Sequence, residues 1–363
     1  EMWRRVRSLC RTIQISRYMI DTIKKIELEI TSDCNAACPG CARTIHRDLL
    51  QVTSFSLEDL KRIFPTPNHI ANKQFKFCGV LGDPAIHPQF VEMLEYLLQH
   101  GGLTSISTNG AVGTESMWRK IGILCKDYPK QFYVGFCIDG HKETNHIYRV
   151  NTKWNVLDRN LNAYTENAHP NKACWTFIVF DHNEYELDAA REHAKQLGFK
   201  FATRTGMRNT YYNWVAEIGK KNNKEQKVIT TTGAKEHKNK DKVFEIDKKI
   251  ANNDIDQDFI KTITCKYIHE GEIFIDAKQQ MWPCCFLWDS AFKNKENILD
   301  KLSEYSTGWN SLKEHSIEEI MQHPWFDKIL EESWDPEHSK HLKRCMRSCG
   351  YNKAYQNVIE VEK

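Results

Sequence analysis

From residue 26 to residue 207, short β-branched and aromatic segments alternate with longer amphipathic ones, and this rhythm constrains the fold more than any other feature. Strand-like stretches fall at residues 26–30, 75–80, 105–107, 132–138, 175–180 and 199–203. Helical patterns fill the gaps. Residues 89–100 place Phe90, Met93, Leu94 and Leu97 on one face, and residues 116–125, 156–165 and 184–197 behave alike. Gly101-Gly102 and Gly198 stand where helix C-caps belong. Alternation of this kind implies parallel strands joined by right-handed crossovers. Six such units make either a curved, incomplete barrel or a doubly wound sheet, and periodicity does not separate the two.

The flanks read differently. Ahead of the first strand, Trp3, Val6, Cys10 and Ile13 recur at helical spacing with Arg4, Arg5, Arg7 and Arg11 between them. This suggests a helical extension over residues 1–25, packed on the barrel with its arginines outward. The basic start lacks the apolar stretch and cleavage site of a signal peptide, and no apolar run nears the roughly 18 residues that span a membrane. Residues 211–262 form a lysine-rich bridge. Residues 220–249 hold ten lysines against five acidic residues, which reads as a solvated, partly mobile insertion or as a basic arm for RNA. A formal net charge of only +3 does not suggest a dedicated nucleic-acid binder. Residues 263–363 suggest a small α+β domain opening on a hairpin, with Ile273 to Asp276 pairing Met281 to Cys284.

Thirteen cysteines, an odd number, argue against a disulfide scaffold and for metal-bound thiolates in a reducing cytoplasm. Seven of them form groups: Cys34/Cys38/Cys41, Cys265 with Cys284, and Cys345/Cys349. Cys10, Cys78, Cys125, Cys137, Cys174 and Cys285 stand mostly apart and read as small core hydrophobes. Cys34, Cys38 and Cys41 follow the first strand directly, where barrel loops build active sites. Three cysteines on one loop suit three irons of a cubane cluster and leave one iron open, whereas a purely electron-carrying cluster normally has four. A zinc site, with His46 as a fourth ligand, is the alternative.

A CxxxCxxC loop after the first strand resembles the radical S-adenosylmethionine superfamily, whose fold is a partial (β/α)6, TIM-like barrel. The resemblance covers roughly residues 24–210. Leu81-Gly82-Asp83-Pro84 resembles the family's Gly-Gly-Glu-Pro, whose backbone binds the methionine amine. Ser107-Thr108-Asn109-Gly110 resembles its Thr-Asn-Gly, and Ile138-Asp139-Gly140 with Arg149 resembles the strand-four region that contacts ribose and carboxylate. Gly82, Asp83, Pro84, Ser107, Asn109, Asp139 and Arg149 are thus the implied S-adenosylmethionine contacts. Two departures stand out. Gly40 occupies the position where the family carries an aromatic residue near the adenine, so another group must serve there. Asp83 is one methylene shorter than the family's glutamate.

The resemblance extends to the C-terminus. Cys265, Cys284, Cys345 and Cys349 resemble SPASM/Twitch auxiliary-cluster domains, the five cysteines after the barrel matching the single-cluster Twitch type. Cys285 is an alternative to Cys284, and zinc an alternative to the cluster. The implied function is reductive cleavage of S-adenosylmethionine to a 5′-deoxyadenosyl radical, which takes hydrogen from a small polar metabolite or a peptide. The net reaction is an oxidation or rearrangement, with flavodoxin or ferredoxin as external reductant. The alternatives are a radical enzyme acting on nucleic acid and a non-catalytic iron–sulfur protein.

Overall fold

The computed structural model describes residues 20–205, 214–218, 227–231, 237–293, 308–356 and 358–361. The N-terminal helix expected around Trp3, Val6, Cys10 and Ile13 lies outside them. Six parallel strands, β1 (Lys25–Leu28), β2 (Gln74–Phe77), β3 (Leu103–Thr108), β4 (Phe132–Cys137), β5 (Ala173–Ile178) and β6 (Lys200–Thr205), lie side by side in chain order. The sheet is open, so the barrel is partial. Of the two architectures that periodicity allowed, this order selects the first. A doubly wound sheet reverses direction at a switch point, and here each strand pairs with the next.

Five helices cover the outer face: α1 (Leu57–Ile63), α2 (Phe90–Gln99), α3 (Glu115–Asp127), α4 (Trp154–Thr165) and α5 (Leu187–Gln196). Their starts are chemically fixed. Ser56 and Asp59 form a reciprocal capping box on α1, and Thr114 accepts from the Met117 amide on α3. Gly101 and Gly198 close α2 and α5 at φ of 82° and 72°, the left-handed region open to glycine.

Strand alternation divides the residues between two faces. Phe75, Phe77, Val134, Phe136, Trp175 and Phe177 are buried in the main core. The opposite positions include Glu27, Lys76, Ser107, Cys137 and Thr176, so the concave side is polar rather than filled. There Lys76 Nζ lies 2.8 Å and Lys266 Nζ 3.8 Å from Glu27. Burial opposes the Glu27 charge, but the two ammonium groups hold its pKa down to about 2.

The remaining chain extends this sheet at both edges. β7 (Trp214–Ile218) and β8 (Lys227–Thr231) form a separate antiparallel pair. Helix α6 (Lys240–Ala251), within the lysine-rich segment, buries Val243 and Ile246. β9 (Glu272–Ile275) pairs parallel with β1, and β10 (Met281–Trp282) folds back on it as the expected hairpin. Gln279 makes the turn at φ 65°. Helix α7 (Cys285–Phe292) follows. Helix α8 (Lys343–Lys353) breaks at Gly350, after which β11 (Val358–Val361) pairs antiparallel with β6. The mouth of the open barrel therefore lies between α7 on one side and β6–β11 on the other. Among the described residues no helix is long and apolar enough to cross a membrane.

Candidate S-adenosylmethionine and cluster sites

Residues 31–41 leave the C-terminal end of β1 and wrap over the barrel. Backbone bonds fix the loop: Asp83 N donates to Asp33 O at 2.7 Å, and Ala37 N to Val150 O at 3.0 Å. Cys34, Cys38 and Cys41 all line one cavity of about 150 Å³. Gly82, Asp83, Ser107, Asn109 and Arg149 line the same cavity, so five of the seven implied contacts meet the three cysteines there.

Each sulfur has a polar neighbour. The Ala36 amide lies 3.4 Å and Asn109 Nδ2 3.9 Å from Cys34 Sγ, Arg149 Nη1 lies 3.7 Å from Cys38 Sγ, and Cys41 Sγ donates to Val80 O at 3.8 Å. Burial pushes the Cys34 thiol up to about 12, with the nearby Asp83 charge adding to it. Burial raises Cys38 to about 11 against the pull of Arg149, and raises Cys41 as well. In the metal-free protein these sulfurs hold their protons, so loading a metal centre must release them.

The glycine at position 82 is a packing requirement. A Cβ there would sit 1.9 Å from the Thr31 carbonyl oxygen, and one at Gly79 would sit 1.5 Å from Gly82 O. Only bare backbone lets the β2 loop approach the cysteine loop this closely. Pro84 opens a buried 3-10 turn over Pro84–Ile86 that Asp83 caps.

Asp83 itself is fully engaged within the protein. Its carboxylate accepts from Thr108 Oγ1 at 2.8 Å, Asn109 N at 2.8 Å, Asn109 Nδ2 at 2.8 Å and Ala85 N at 3.1 Å. It pins the end of β3 to the loop after β2. Asp139 acts at one remove in the same way. It is wholly buried and does not line the cavity, and its Oδ2 accepts from Arg149 Nε at 2.6 Å. Its Oδ1 accepts from Ile178 N at 2.7 Å. Burial opposes the Arg149 charge, yet Asp139 and the sulfur of Cys38 raise its pKa well above normal.

Two residues went unrecognised in the sequence. Tyr148 lines the same cavity as Gly40 and brings an aromatic ring to it, 4.5 Å from the ring of Phe180. Its place beside Arg149 was the available signal. Glu29 is buried beneath the β2 loop, with Oε1 accepting from the amides of Leu81 and Gly82. Its Oε2 has no partner, and burial pushes its pKa up to about 8.

The second cysteine group also converges. Cys265, Cys284, Cys345 and Cys349 are buried and line one small apolar pocket. Cys265 and Cys284 stand at helix N-caps, where the amides of Tyr267 and Ile268, and of Phe286 and Leu287, reach their sulfurs. Trp334 Nε1 and Ser348 Oγ belong to residues lining the same pocket, and both are buried without hydrogen-bond partners. Four thiols with orphaned donors beside them fit a cluster whose sulfides accept hydrogen bonds. Cys285 does not line this pocket; it lies toward Glu27, Lys266 and Cys78. Among the described residues no three His, Cys, Asp or Glu side chains are placed to hold a single metal ion. A cluster interposes its own inorganic core and takes more widely spaced thiolates than one zinc ion does.

No protein-family model matches the chain. A stretch of 105 residues is 29% identical to the tungsten-containing aldehyde ferredoxin oxidoreductase cofactor-modifying protein of Pyrococcus furiosus, covering 29% of each chain. Among solved structures, Streptococcus suis SuiB bound to S-adenosylmethionine superposes with a TM-score of 0.54 at 11% identity. That match covers 92% of this chain and 72% of SuiB. SuiB bound to its precursor peptide SuiA gives 0.53 at 12% identity, over 92% and 70%. With β1–β6 in this order and the cysteine loop at the end of β1, the chain shares its fold with SuiB.

Proposed function

We propose that the chain is a radical S-adenosylmethionine enzyme whose Cys34, Cys38 and Cys41 hold a [4Fe-4S] cluster. One observation carries the reading: the three thiols share a cavity with Gly82, Ser107, Asn109 and Arg149, contributed by three other strand ends. When bound, a cluster with one open iron supplies the electron that cleaves S-adenosylmethionine to a 5′-deoxyadenosyl radical. The chain's own part is to bind, orient and shield. Backbone at Gly82 faces the methionine end, Arg149 the carboxylate, and Tyr148 offers the adenine an aromatic face, while Pro84, like Asp139, does not line the cavity. Asp83 and Asp139 position rather than touch, through Asn109 and Arg149.

In the same reading Cys265, Cys284, Cys345 and Cys349 hold one auxiliary [4Fe-4S] cluster, a natural acceptor for the electron that a net oxidation releases. Trp334 and Ser348 are placed to donate to it. The substrate is a peptide or a small polar metabolite, and the reductant a ferredoxin or flavodoxin. SuiB's complex with a precursor peptide and the cofactor-modifying role named for the Pyrococcus protein supply one precedent of each kind. Anaerobic reconstitution tests the pair of sites. Two four-iron clusters require about eight irons and eight sulfides per chain. Stoichiometric zinc with about four irons would remove the auxiliary cluster and leave the first site standing.

A further inference from the structure

A chamber of about 320 Å³ opens directly from the cysteine cavity, sharing Gly40, Cys41, Gly79, Tyr148 and Arg149 with it. It occupies the mouth of the barrel. One wall is α7 with Phe286 and Asp289, and another is Arg344 at the start of α8. The third is Ile178 and Arg204 from the ends of β5 and β6, with Tyr355 and Gln356. Cys284 immediately precedes α7, and Cys345 immediately follows Arg344, so this chamber lies between the two cysteine groups.

The charges lining it are unequal. Three are arginines, Arg149, Arg204 and Arg344, and one is an aspartate, Asp289. Arg149 already carries Asp139 at 2.6 Å and faces the S-adenosylmethionine side. Asp289 is shared by two cations, Lys293 Nζ at 2.6 Å and Arg344 Nη2 at 3.4 Å. The Arg344 guanidinium also lies over the Phe286 ring, 5.4 Å from its centroid. It is thus held in a fixed plane by a carboxylate edge and an aromatic face, and its side chain is only 13% exposed. A planar guanidinium preorganised in this way matches a carboxylate or phosphate edge, while a neutral group set against it would strip away hydration with less return.

We propose that the chamber receives the substrate by an oxyanion, a carboxylate or phosphate group held by Arg204 and Arg344. This orients the rest of the molecule toward the cavity of Cys34, Cys38 and Cys41. The assignment rests on the reading of that cavity as the S-adenosylmethionine site, and it narrows the substrate to anionic peptides or metabolites.

The test uses the reconstituted protein with S-adenosylmethionine bound, treated with phenylglyoxal and mapped by peptide mass spectrometry. Inorganic phosphate and glutarate are the probes, glutaramide is the neutral control, and exposed Arg159 is the internal reference. Phosphate, glutarate or both will slow modification of Arg204 and Arg344 and leave Arg159 unchanged; which anion protects names the group. In Arg204→Gln the anion concentration that protects Arg344 will rise roughly tenfold, as loss of a charged hydrogen bond implies. Rates at both arginines unaffected by either anion would overturn the proposal, as would equal protection by glutaramide. That result would leave Arg344 as a counter-charge for the auxiliary site alone. Release of 5′-deoxyadenosine with dithionite is scored separately on the same preparation. Failure there would sink the radical reading while the protection data remain readable.

Discussion

Asp139→Ala measures how much of the site is held by one buried carboxylate. Asp139 is fully buried and accepts from Arg149 Nε at 2.6 Å and from Ile178 N at 2.7 Å. Removing it leaves Arg149, whose side chain is 17% exposed, without its counter-ion and the Ile178 amide without an acceptor. Breaking a buried pair from one side costs about 3–5 kcal/mol. With an m-value of about 3 kcal/mol/M, the urea midpoint falls on the order of 1 M. The assay is anaerobic urea unfolding of the reduced, metal-free protein followed by far-UV circular dichroism, so cluster loss does not enter. The double variant Asp139→Ala/Arg149→Ala removes the stranded charge as well. It should be more stable than the sum of the single losses predicts, by roughly 0.5–3 kcal/mol. If Asp139→Ala unfolds within about 0.5 kcal/mol of the parent, as a surface substitution would, then Asp139 does not anchor Arg149 and the positioning argument fails.

Three further outcomes follow from the geometry. Gly82→Ala places a Cβ 1.9 Å from the Thr31 carbonyl, so the variant should lose iron from the first site although residue 82 ligates nothing; full iron loading would refute the packing requirement. Glu29 has a folded pKa of about 8 against 4.5 for an ordinary glutamate, so the folded state keeps a proton that the unfolded chain gives up. Its contribution therefore favours folding at low pH and is lost as pH rises from the unfolded value toward the folded one, at up to about 1.4 kcal/mol per pH unit. Glu29→Gln should flatten that decline in urea titrations at pH 5 to 8, and an unchanged pH profile would remove Glu29 as its source. Cys284→Ala should cost about four irons and Cys285→Ala none, because Cys284 alone of the two joins the four-cysteine pocket. The reverse pattern, read by iron analysis, would reassign the ligand.

Much of the barrel was legible from periodicity. All six strands lie within a few residues of the positions read from β-branched and aromatic runs, and Gly101 and Gly198 cap helices as their placement implied. Local patterns carry such information because each element is specified by its own residues. What distant segments do to one another was not legible. The hairpin at residues 272–282 reads as the start of a separate unit, yet β9 continues the main sheet beside β1 and β11 closes along β6. The pairing of Asp83 with Thr108 and Asn109, 25 and 26 residues further along the chain, is likewise a property of the fold. Nothing around Asp83 in the sequence announces that Thr108 and Asn109 occupy its carboxylate. Gly40 announced a missing aromatic group without saying that Tyr148 would line the same cavity.

The most direct test of the account is release of 5′-deoxyadenosine from S-adenosylmethionine, measured by mass spectrometry after anaerobic reconstitution and dithionite reduction. The parent and Cys34→Ala, Cys38→Ala and Cys41→Ala are compared, each shown to be folded. The account predicts release from the parent and none above background from any of the three variants. Release retained in all three, or absent from a parent carrying its full iron, would contradict it.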